Sequence, residues 1–366
     1  MNIKPFSIEL QAKIHLLMKY RRPIKLGEVE MSSKLVLAPM AQITHLPFRL
    51  LMGQLGAGMG ISELVSAKGI NYKNDKTLHM LSTSKDETTK GLQLFGEEIP
   101  AMIEAATVAE SYAPEFIDIN MGCPVNKVTK KGGGSALLKR TEGLSDLFSE
   151  MRKSINIPLS IKIRTGWDET CRNALDICQI AYDSGVEFVS VHGRTRSQLY
   201  KGLADWDFLE NLAKDSALPI LGNGDLVNPG MIYQKSLSTN CHALMIGRGA
   251  LKNPFIFLES LVHESERKEV IFTPRDFLEI YFHYYDYLAQ HFDWEPKIMI
   301  TLKKQIMWWS YGLTNASHFR EKVFPCKNLE ELHDLVGNYF ESFSSDPYLF
   351  RQKLHFDQSF MTAGHG

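Results

Sequence analysis

The chain has 366 residues, of which 44% are hydrophobic, and its formal net charge is −1. This length suits either two domains or one large α/β barrel with a smaller appended domain. The charge balance excludes a strongly basic surface over the whole molecule, although a local basic patch can still bind a nucleic acid. No apolar run reaches the ~20 residues of a membrane span, and the N-terminus lacks a signal-peptide pattern. We therefore expect a cytoplasmic protein without a membrane partner.

Residues 1–33 form an N-terminal extension that precedes the first predicted barrel strand. Its first 25 residues carry one acidic side chain, Glu9, and six basic ones: Lys4, Lys13, Lys19, Arg21, Arg22 and Lys25. A run of charges is more often a solvated helix face than a binding site. We interpret the segment as a solvent-exposed helix, and an RNA-binding arm is the alternative.

Residues 34–258 alternate short β-branched runs with longer amphipathic ones, as in Pro100–Tyr112, Arg172–Asp183 and Phe208–Lys214. Eight βα units over this length predict a closed (β/α)8 TIM barrel. An open doubly wound sheet would usually present GxGxxG after its first strand, and none occurs. The predicted strands are Lys34–Ala38, Met59–Val65, Lys90–Phe95, Phe116–Asn120, Leu159–Arg164, Glu187–His192, Pro219–Gly222 and Ala243–Gly247.

Residues 259–366 are predicted to form a small helical domain. Phe277–Gln290, Ile298–Trp309 and Leu329–Phe343 each space apolar residues with helical periodicity. We expect Trp308 and Trp309 to lie in the core of this bundle rather than to stack on bases.

One cysteine lies where a barrel carries its chemistry. Active sites of (β/α)8 barrels form at the C-terminal ends of the strands, and Cys123 follows the strand Phe116–Asn120, between Gly122 and Pro124. An ordinary thiol pKa of ~8.5 leaves this side chain protonated at neutral pH, so it can act as an acid. The five cysteines include no CxxC or Cys/His zinc spacing, and we expect no metal.

The last two strand ends predict a phosphate site. Gly222-Asn223-Gly224 and Gly247-Arg248-Gly249 follow strands seven and eight, where barrels of this kind often bind phosphate through backbone N–H groups. Simple βα turns are the alternative for either loop alone.

Two further strand ends suit a flavin. Lys162 lies in an apolar run and needs an anion or an acceptor, which the N1–C2=O edge of a flavin provides. Gln93 both donates and accepts, so it matches the pyrimidine edge of the ring. A carboxylate partner for Lys162 is the alternative, and His192 could be an ordinary core histidine. Together these groups predict an FMN-dependent reductase in which the cysteine supplies a proton.

Between about Leu35 and Phe257 the sequence resembles the tRNA-dihydrouridine synthases, most closely the bacterial B-type branch. The motifs that carry the resemblance are Ala38-Pro39-Met40-Ala41, Asp118-Ile119-Asn120-Met121-Gly122-Cys123-Pro124, Lys162-Ile163-Arg164-Thr165-Gly166-Trp167, His192-Gly193-Arg194-Thr195-Arg196, Asn223-Gly224-Asp225 and Gly247-Arg248. The resemblance implies an oxidoreductase with bound FMN that reduces the C5–C6 double bond of a uridine in tRNA, with NADPH as the electron source. It also implies that the helical tail grips tRNA.

The resemblance assigns the remaining site residues. Cys123 would be the general acid, and the flavin would be held by Pro39, Met40, Ala41, Gln93, Lys162, His192, Asn223, Gly224, Asp225, Gly247 and Arg248. Gln42 and His45 depart from the family pattern after the first strand.

Substrate contacts are expected from an amide and from basic side chains. Asn120 matches the donor and acceptor of a uracil edge. The segment 126–140 carries basic side chains and no acidic one, and we interpret it as a lid over RNA, with a solvated face as the alternative. Lys130 and Lys131 on this segment, together with Arg194, are the predicted tRNA contacts.

Two other functions stay open at this stage. An FMN barrel acting on a free pyrimidine needs neither the basic segment nor the tail, and a non-catalytic RNA-binding barrel needs neither Cys123 nor the phosphate loops. The oligomeric state is left open, with a monomer expected.

Overall fold

The computed structural model describes residues 3–343; the end of the predicted helical domain, residues 344–366, lies outside them. Eight parallel strands close a barrel in the order β10-β3-β4-β5-β6-β7-β8-β9, so the predicted (β/α)8 architecture is confirmed. The strands of the chain are β1 (Ile24–Leu26), β2 (Val29–Met31), β3 (Leu35–Leu37), β4 (Met59–Ser66), β5 (Thr89–Phe95), β6 (Phe116–Asn120), β7 (Leu159–Arg164), β8 (Phe188–His192), β9 (Ile220–Asn223) and β10 (Ala243–Ile246).

Helices surround the barrel and continue beyond it. They are α1 (Ile8–Met18), α2 (Leu46–Gln54), α3 (Ala67–Asn71), α4 (Asp75–His79), α5 (Ile99–Glu110), α6 (Asn126–Thr129), α7 (Leu144–Ser154), α8 (Ala174–Asp183), α9 (Trp206–Asp215), α10 (Pro229–Ser238), α11 (Arg248–Lys252), α12 (Ile256–Glu259), α13 (Glu264–Glu269), α14 (Pro274–His291), α15 (Glu295–Trp309), α16 (Ala316–Val323) and α17 (Leu329–Glu341), with a 3₁₀ helix at Gly134–Lys139. Among residues 3–343, no helix is long and apolar enough to cross a membrane.

The eight predicted strands match β3–β10 to within one residue at each end. β4, predicted to end at Val65, continues to Ser66 after a register shift between Ile61 and Leu64. A shift of this kind bends a strand locally and increases its twist.

A hairpin that the sequence analysis missed closes the bottom of the barrel. β1 and β2 pair through the two-residue turn at Gly27 and Glu28, where Gly27 has a φ of +57°, a conformation that glycine adopts without strain. Leu26, Val29 and Met31 are buried against Phe116 and Phe188. Since Phe116 and Phe188 begin their strands, the hairpin lies at the N-terminal end of the barrel and leaves the opposite end open.

The N-terminal helix is not the fully solvated helix that we expected. Leu10 and Leu17 are seven residues apart, which places them on one face of α1, and both are buried in the main core. The Ser7 hydroxyl caps the helix, and Lys13 Nζ lies 2.6 Å from the Asp276 carboxylate of α14. The extension therefore links the barrel to the C-terminal helices.

The C-terminal helices share one hydrophobic core with the barrel. Phe48 of α2, Leu244 of β10, Tyr284 of α14 and Trp309 of α15 belong to the same buried cluster. Trp309 is fully buried and Trp308 packs against the cluster, as expected for bundle residues. The helices consequently hold one side of the barrel rather than forming a detached unit.

Candidate active site

Strand register brings the predicted flavin and substrate residues together at the open end. Asn120 of β6 lies opposite Lys162 of β7, and His192 of β8 lies opposite Asn223 of β9. Gln93 of β5 is paired with Asp118, two residues before Asn120. The side chains that the sequence spreads over 130 residues therefore surround one mouth.

Lys162 is the buried cation of this mouth. Its residue is only 9% exposed, and burial, helped by the neighbouring Arg164 charge, lowers the pKa of its amine to about 8. Its Nζ lies 3.3 Å from Asn223 Oδ1, and the Asn223 amide is fixed by donating to the Met245 carbonyl at 2.7 Å. No carboxylate among the described residues forms an ion pair with this amine, so it is available to an anionic ligand.

Three polar side chains form a hydrogen-bonded chain inside the barrel. Gln93 Nε2 donates to Asp118 Oδ2 at 2.7 Å, and Asn120 Nδ2 donates to Gln93 Oε1 at 2.8 Å. Ser160 Oγ donates to the other Asp118 oxygen at 2.6 Å. Burial raises the pKa of Asp118 to about 6, although the bonds from Ser160 and Gln93 oppose the shift. Asn120 keeps one N–H for a substrate.

Cys123 is held in place by hydrogen bonds of its backbone N–H and carbonyl. Its N–H donates to Asn120 Oδ1 at 3.0 Å, and its carbonyl accepts from the N–H and hydroxyl of Ser135, at 3.1 and 2.9 Å. Gly134, with a φ of +58°, allows this approach, since a Cβ there would lie 2.9 Å from the Cys123 carbonyl. Partial burial raises the pKa of the Cys123 thiol, so the group is protonated at neutral pH.

His192 is a neutral imidazole in the same wall. Burial and the surrounding cations Arg164, Lys162, Arg194 and Arg248 hold its pKa well below 6.5. Its Nε2 lies 3.3 Å from Arg194 Nη1. Because a guanidinium only donates, Nε2 is the acceptor and the proton lies on Nδ1.

Arg194, a predicted tRNA contact, is 2% exposed. Its Nη2 lies 2.8 Å from both oxygens of Asp225 and donates to the Gly202 carbonyl at 2.7 Å. Asp225 also accepts from the Ala204 N–H at 2.7 Å. The structure therefore places Arg194 and Asp225 as a buried pair that shapes the loop after β9, rather than at a surface where RNA could contact the guanidinium.

The loops after β9 and β10 carry the two glycine-containing sequences that were predicted to form a phosphate cup. Gly224 has a φ of +128°, and a Cβ there would lie 2.5 Å from the Ala204 side chain. No acceptor among the described residues receives the backbone N–H of Gly224 or Gly247. The guanidinium of Arg248 lies over the Tyr200 ring at 4.9 Å and 3.7 Å from Asp225. Two open donors and a guanidinium are the groups that bind a phosphate.

The segment after β3 forms the remaining part of the barrel mouth. It contains Gln42 and His45, the two residues that depart from the family pattern. Pro39 and Met40 are half-buried, and Ala41 is exposed. Gln42 adopts a φ of +61°, its N–H donates to the buried Glu63 carboxylate, and its Oε1 accepts from Lys304 Nζ of α15 at 3.2 Å.

The other departure, His45, is buried, with its Nε2 3.3 Å from the Tyr284 hydroxyl. Gln42 and His45 therefore join the barrel to the C-terminal helices, which the sequence alone did not reveal.

The basic segment next to Cys123 is folded and presents its charges to solvent. Lys127, Lys130, Lys131, Lys139 and Arg140 are all exposed. Lys139 and Arg196 both lie over the ring of Trp167, which is in the loop after β7. The Lys139 amine is 3.9 Å from the ring centroid, and the guanidinium of Arg196, from the loop after β8, is 4.6 Å from it. No group of three or more metal-ligating side chains occurs among residues 3–343.

Comparison with known proteins indicates one enzyme family. The family model described as dihydrouridine synthase (Dus) matches residues 36–344. A probable tRNA-dihydrouridine synthase of Rickettsia bellii is 34% identical over 87% of this chain and 98% of its own length. A tRNA-dihydrouridine synthase B of Vibrio cholerae is 32% identical over 88% of this chain and its own full length.

Solved structures agree in fold alone. A 6-hydroxypseudooxynicotine amine oxidase from Pseudomonas geniculata superposes with a TM-score of 0.54 at 12% identity, over 70% of this chain. A histamine dehydrogenase from Rhizobium superposes with a TM-score of 0.53 at 10% identity, over 74% of this chain. The chain spans about half the length of both proteins. On the sequence matches and the barrel, the chain belongs to the tRNA-dihydrouridine synthases, in the B-type branch.

Proposed function

We propose that this protein reduces the C5–C6 double bond of a uridine in tRNA to dihydrouridine, with FMN as its bound cofactor and NADPH as electron donor. Family membership carries the general reaction. The finer assignment depends on one observation: the Cys123 thiol, the Lys162 amine and the phosphate cup belong to the loops and strand ends of one barrel mouth.

The phosphate cup fits the phosphate of FMN. The N–H groups of Gly224 and Gly247 and the Arg248 guanidinium provide donors, and Asp225 would orient Arg248 and accept from a ribityl hydroxyl. A glycine is required at position 224, because a side chain would collide with Ala204. We assign Asn223 to the orientation of Lys162, which its amide oxygen contacts.

The strand ends fit the isoalloxazine ring. Lys162 would stabilise negative charge at N1 and the C2 carbonyl, and the second Nε2 hydrogen of Gln93 remains available to the pyrimidine edge. Nδ1–H of His192 would contact the flavin or its ribityl chain. Pro39, Met40 and Ala41 would line the ring through the segment after β3, and Met40 Sδ lies close to the position that a Cβ of Gly247 would occupy, at 3.8 Å.

Bound FMN would supply the hydride that C6 of the uracil receives. Cys123 Sγ holds the proton that C5 then needs, and its raised thiol pKa keeps that proton in place at neutral pH. The free N–H of Asn120 would contact the uracil edge.

The basic segment beside Cys123 would bind the tRNA backbone. A uridine reaches the mouth only after extrusion from the stacked nucleotides, which places flanking phosphates near the rim. Lys130 and Lys131 are exposed there and would neutralise those phosphates. We assign Arg194 a positioning role, because Asp225 and the Gly202 carbonyl hold its guanidinium.

The test is product analysis with purified protein, FMN and NADPH under anaerobic conditions. We expect dihydrouridine by mass spectrometry of nucleosides from unmodified tRNA, and no reduction of free uracil or orotate. A protein that reduces the free pyrimidines and leaves tRNA unchanged would support a dehydrogenase of small substrates instead. A protein that binds tRNA but neither FMN nor NADPH would refute the enzymatic proposal.

A further inference from the structure

The hydrogen-bonded chain of Asp118, Gln93 and Asn120 ends on the backbone of Cys123, and both of its ends have a fixed polarity. The Cys123 N–H can only donate, and it donates to Asn120 Oδ1. The ionised Asp118 carboxylate can only accept, and it accepts from Gln93 Nε2. The two amides between these ends must therefore point in the same direction along the chain, as observed in the bond from Asn120 Nδ2 to Gln93 Oε1.

We propose that Asp118 is a positioning residue for uridine reduction: it sets the orientation of the Gln93 and Asn120 amides and thereby anchors the loop that carries the Cys123 thiol. The inference rests on the proposed acid role of Cys123. Asp118 is fully buried and lies two strand positions below Asn120, so it acts on the reaction only through the two amides.

Reversing the direction of the Gln93 and Asn120 amides would cost hydrogen-bond free energy at the Cys123 N–H. If Gln93 turned its oxygen toward Asp118, Asn120 would face the amide nitrogen of Gln93 and would have to turn its own oxygen away from the Cys123 N–H. A buried donor would then lack an acceptor, which changes an equilibrium by about tenfold or more. The Asp118 carboxylate excludes this orientation because two acceptors cannot share a hydrogen bond.

Four variants of the holoenzyme separate polarity from charge. Asp118→Asn is the matched control, since its Oδ1 can still accept from Gln93 while its Nδ2 donates to Ser160 Oγ. Asp118→Ala removes the acceptor. Asn120→Asp leaves an acceptor for Cys123 but cannot donate to Gln93 Oε1. The double variant Asp118→Asn/Asn120→Asp restores a complete chain with the Gln93 amide reversed.

The direct readout is hydrogen exchange at the Cys123 amide, measured in the holoenzyme with the strand Phe188–His192 as an internal control. We expect Asp118→Ala to speed this exchange by about tenfold, while the control strand is unchanged and Asn120→Asp, whose carboxylate still accepts from the Cys123 N–H, stays within about threefold of the wild type. Asp118→Asn and the double variant should both remain within about threefold of the wild type. Wild-type protection in Asp118→Ala, or loss of protection in Asp118→Asn, would overturn the proposal.

The second readout is turnover on tRNA by Asp118→Ala. We expect kcat to fall about tenfold with KM for tRNA unchanged, because no member of the chain touches the tRNA backbone. Lost protection combined with a wild-type kcat would overturn the catalytic part of the inference. Hydrogen exchange does not depend on activity, so a failure of the acid role of Cys123 itself is detected separately, by activity of the Cys123→Ala variant.

Discussion

Binding of FMN should weaken as the pH rises through the pKa of Lys162. Burial lowers this pKa to about 8 in the protein without a ligand, whereas an anionic flavin edge would raise it in the complex. Binding above pH 8 must therefore take up a proton, and protonation of the amine becomes a cost that grows with pH.

The size of the effect follows from the titration. With a pKa of about 8, roughly one tenth of the free protein has a neutral Lys162 at pH 7 and roughly nine tenths at pH 9. If the pKa in the complex is raised to about 10 or higher, the Kd for FMN should rise about tenfold between these two pH values, which is about 1.4 kcal/mol.

The assay is fluorescence titration of FMN into apoprotein across this pH range. Lys162→Met should bind more weakly and lose the pH dependence. Arg248→Ala is the matched control: it should lose about 1.5–3 kcal/mol of affinity, because a charge-assisted phosphate contact is removed, yet keep the slope. A pH-independent Kd in the wild type, or an unchanged slope in Lys162→Met, would refute the role of Lys162 at the flavin edge.

Three further outcomes test other parts of the molecule. Lys130→Ala/Lys131→Ala should reduce the salt dependence of tRNA affinity by up to about two phosphate contacts without loss of FMN; an unchanged slope would place the tRNA elsewhere. Asp118→Asn should stabilise the fold in urea denaturation by up to about 3 kcal/mol at pH 7 and about half that at pH 5, because the folded pKa of about 6 lies above the ordinary pKa of 3.8 and burial of the ionised carboxylate costs stability as pH rises; equal stability at both pH values would contradict this. Leu17→Ala should lose about 2–5 kcal/mol, since Leu17 is buried, and a solvated helix would lose little.

The barrel could be predicted because each strand is a short β-branched run between turn-forming residues, and eight such runs alternating with helices are typical of a closed (β/α)8 barrel. The hairpin of β1 and β2 escaped because its strands have three residues each, which is too short for an alternating pattern. The burial of α1 was not predicted because the sequence places Leu10 and Leu17 on one face but does not show which part of the fold packs against that face. The same holds for Lys13, whose partner Asp276 lies far along the chain.

The placement of Cys123 and Lys162 at the barrel mouth was predictable, because each lies at or just beyond the end of a predicted strand. Contacts with a partner far along the chain were not predictable. The sequence predicts Arg194 as a tRNA contact, whereas in the structure its guanidinium binds the Asp225 carboxylate. Gln42 departs from the family pattern, and the structure shows that its N–H donates to the Glu63 carboxylate. Strand register and loop packing create these pairs, and neither can be predicted from the local sequence.

The most direct test of the account is the Cys123→Ala variant in two reactions of the same preparation. Proton donation by a positioned side chain contributes ~10²–10⁴-fold, so the reduction of tRNA uridine in a single turnover should slow by at least about a hundredfold. Bound flavin and its reduction by NADPH should be unchanged, because the thiol serves the substrate alone. Uridine reduction within tenfold of the wild type, or loss of flavin reduction by NADPH, would contradict the assignment of Cys123 as the acid.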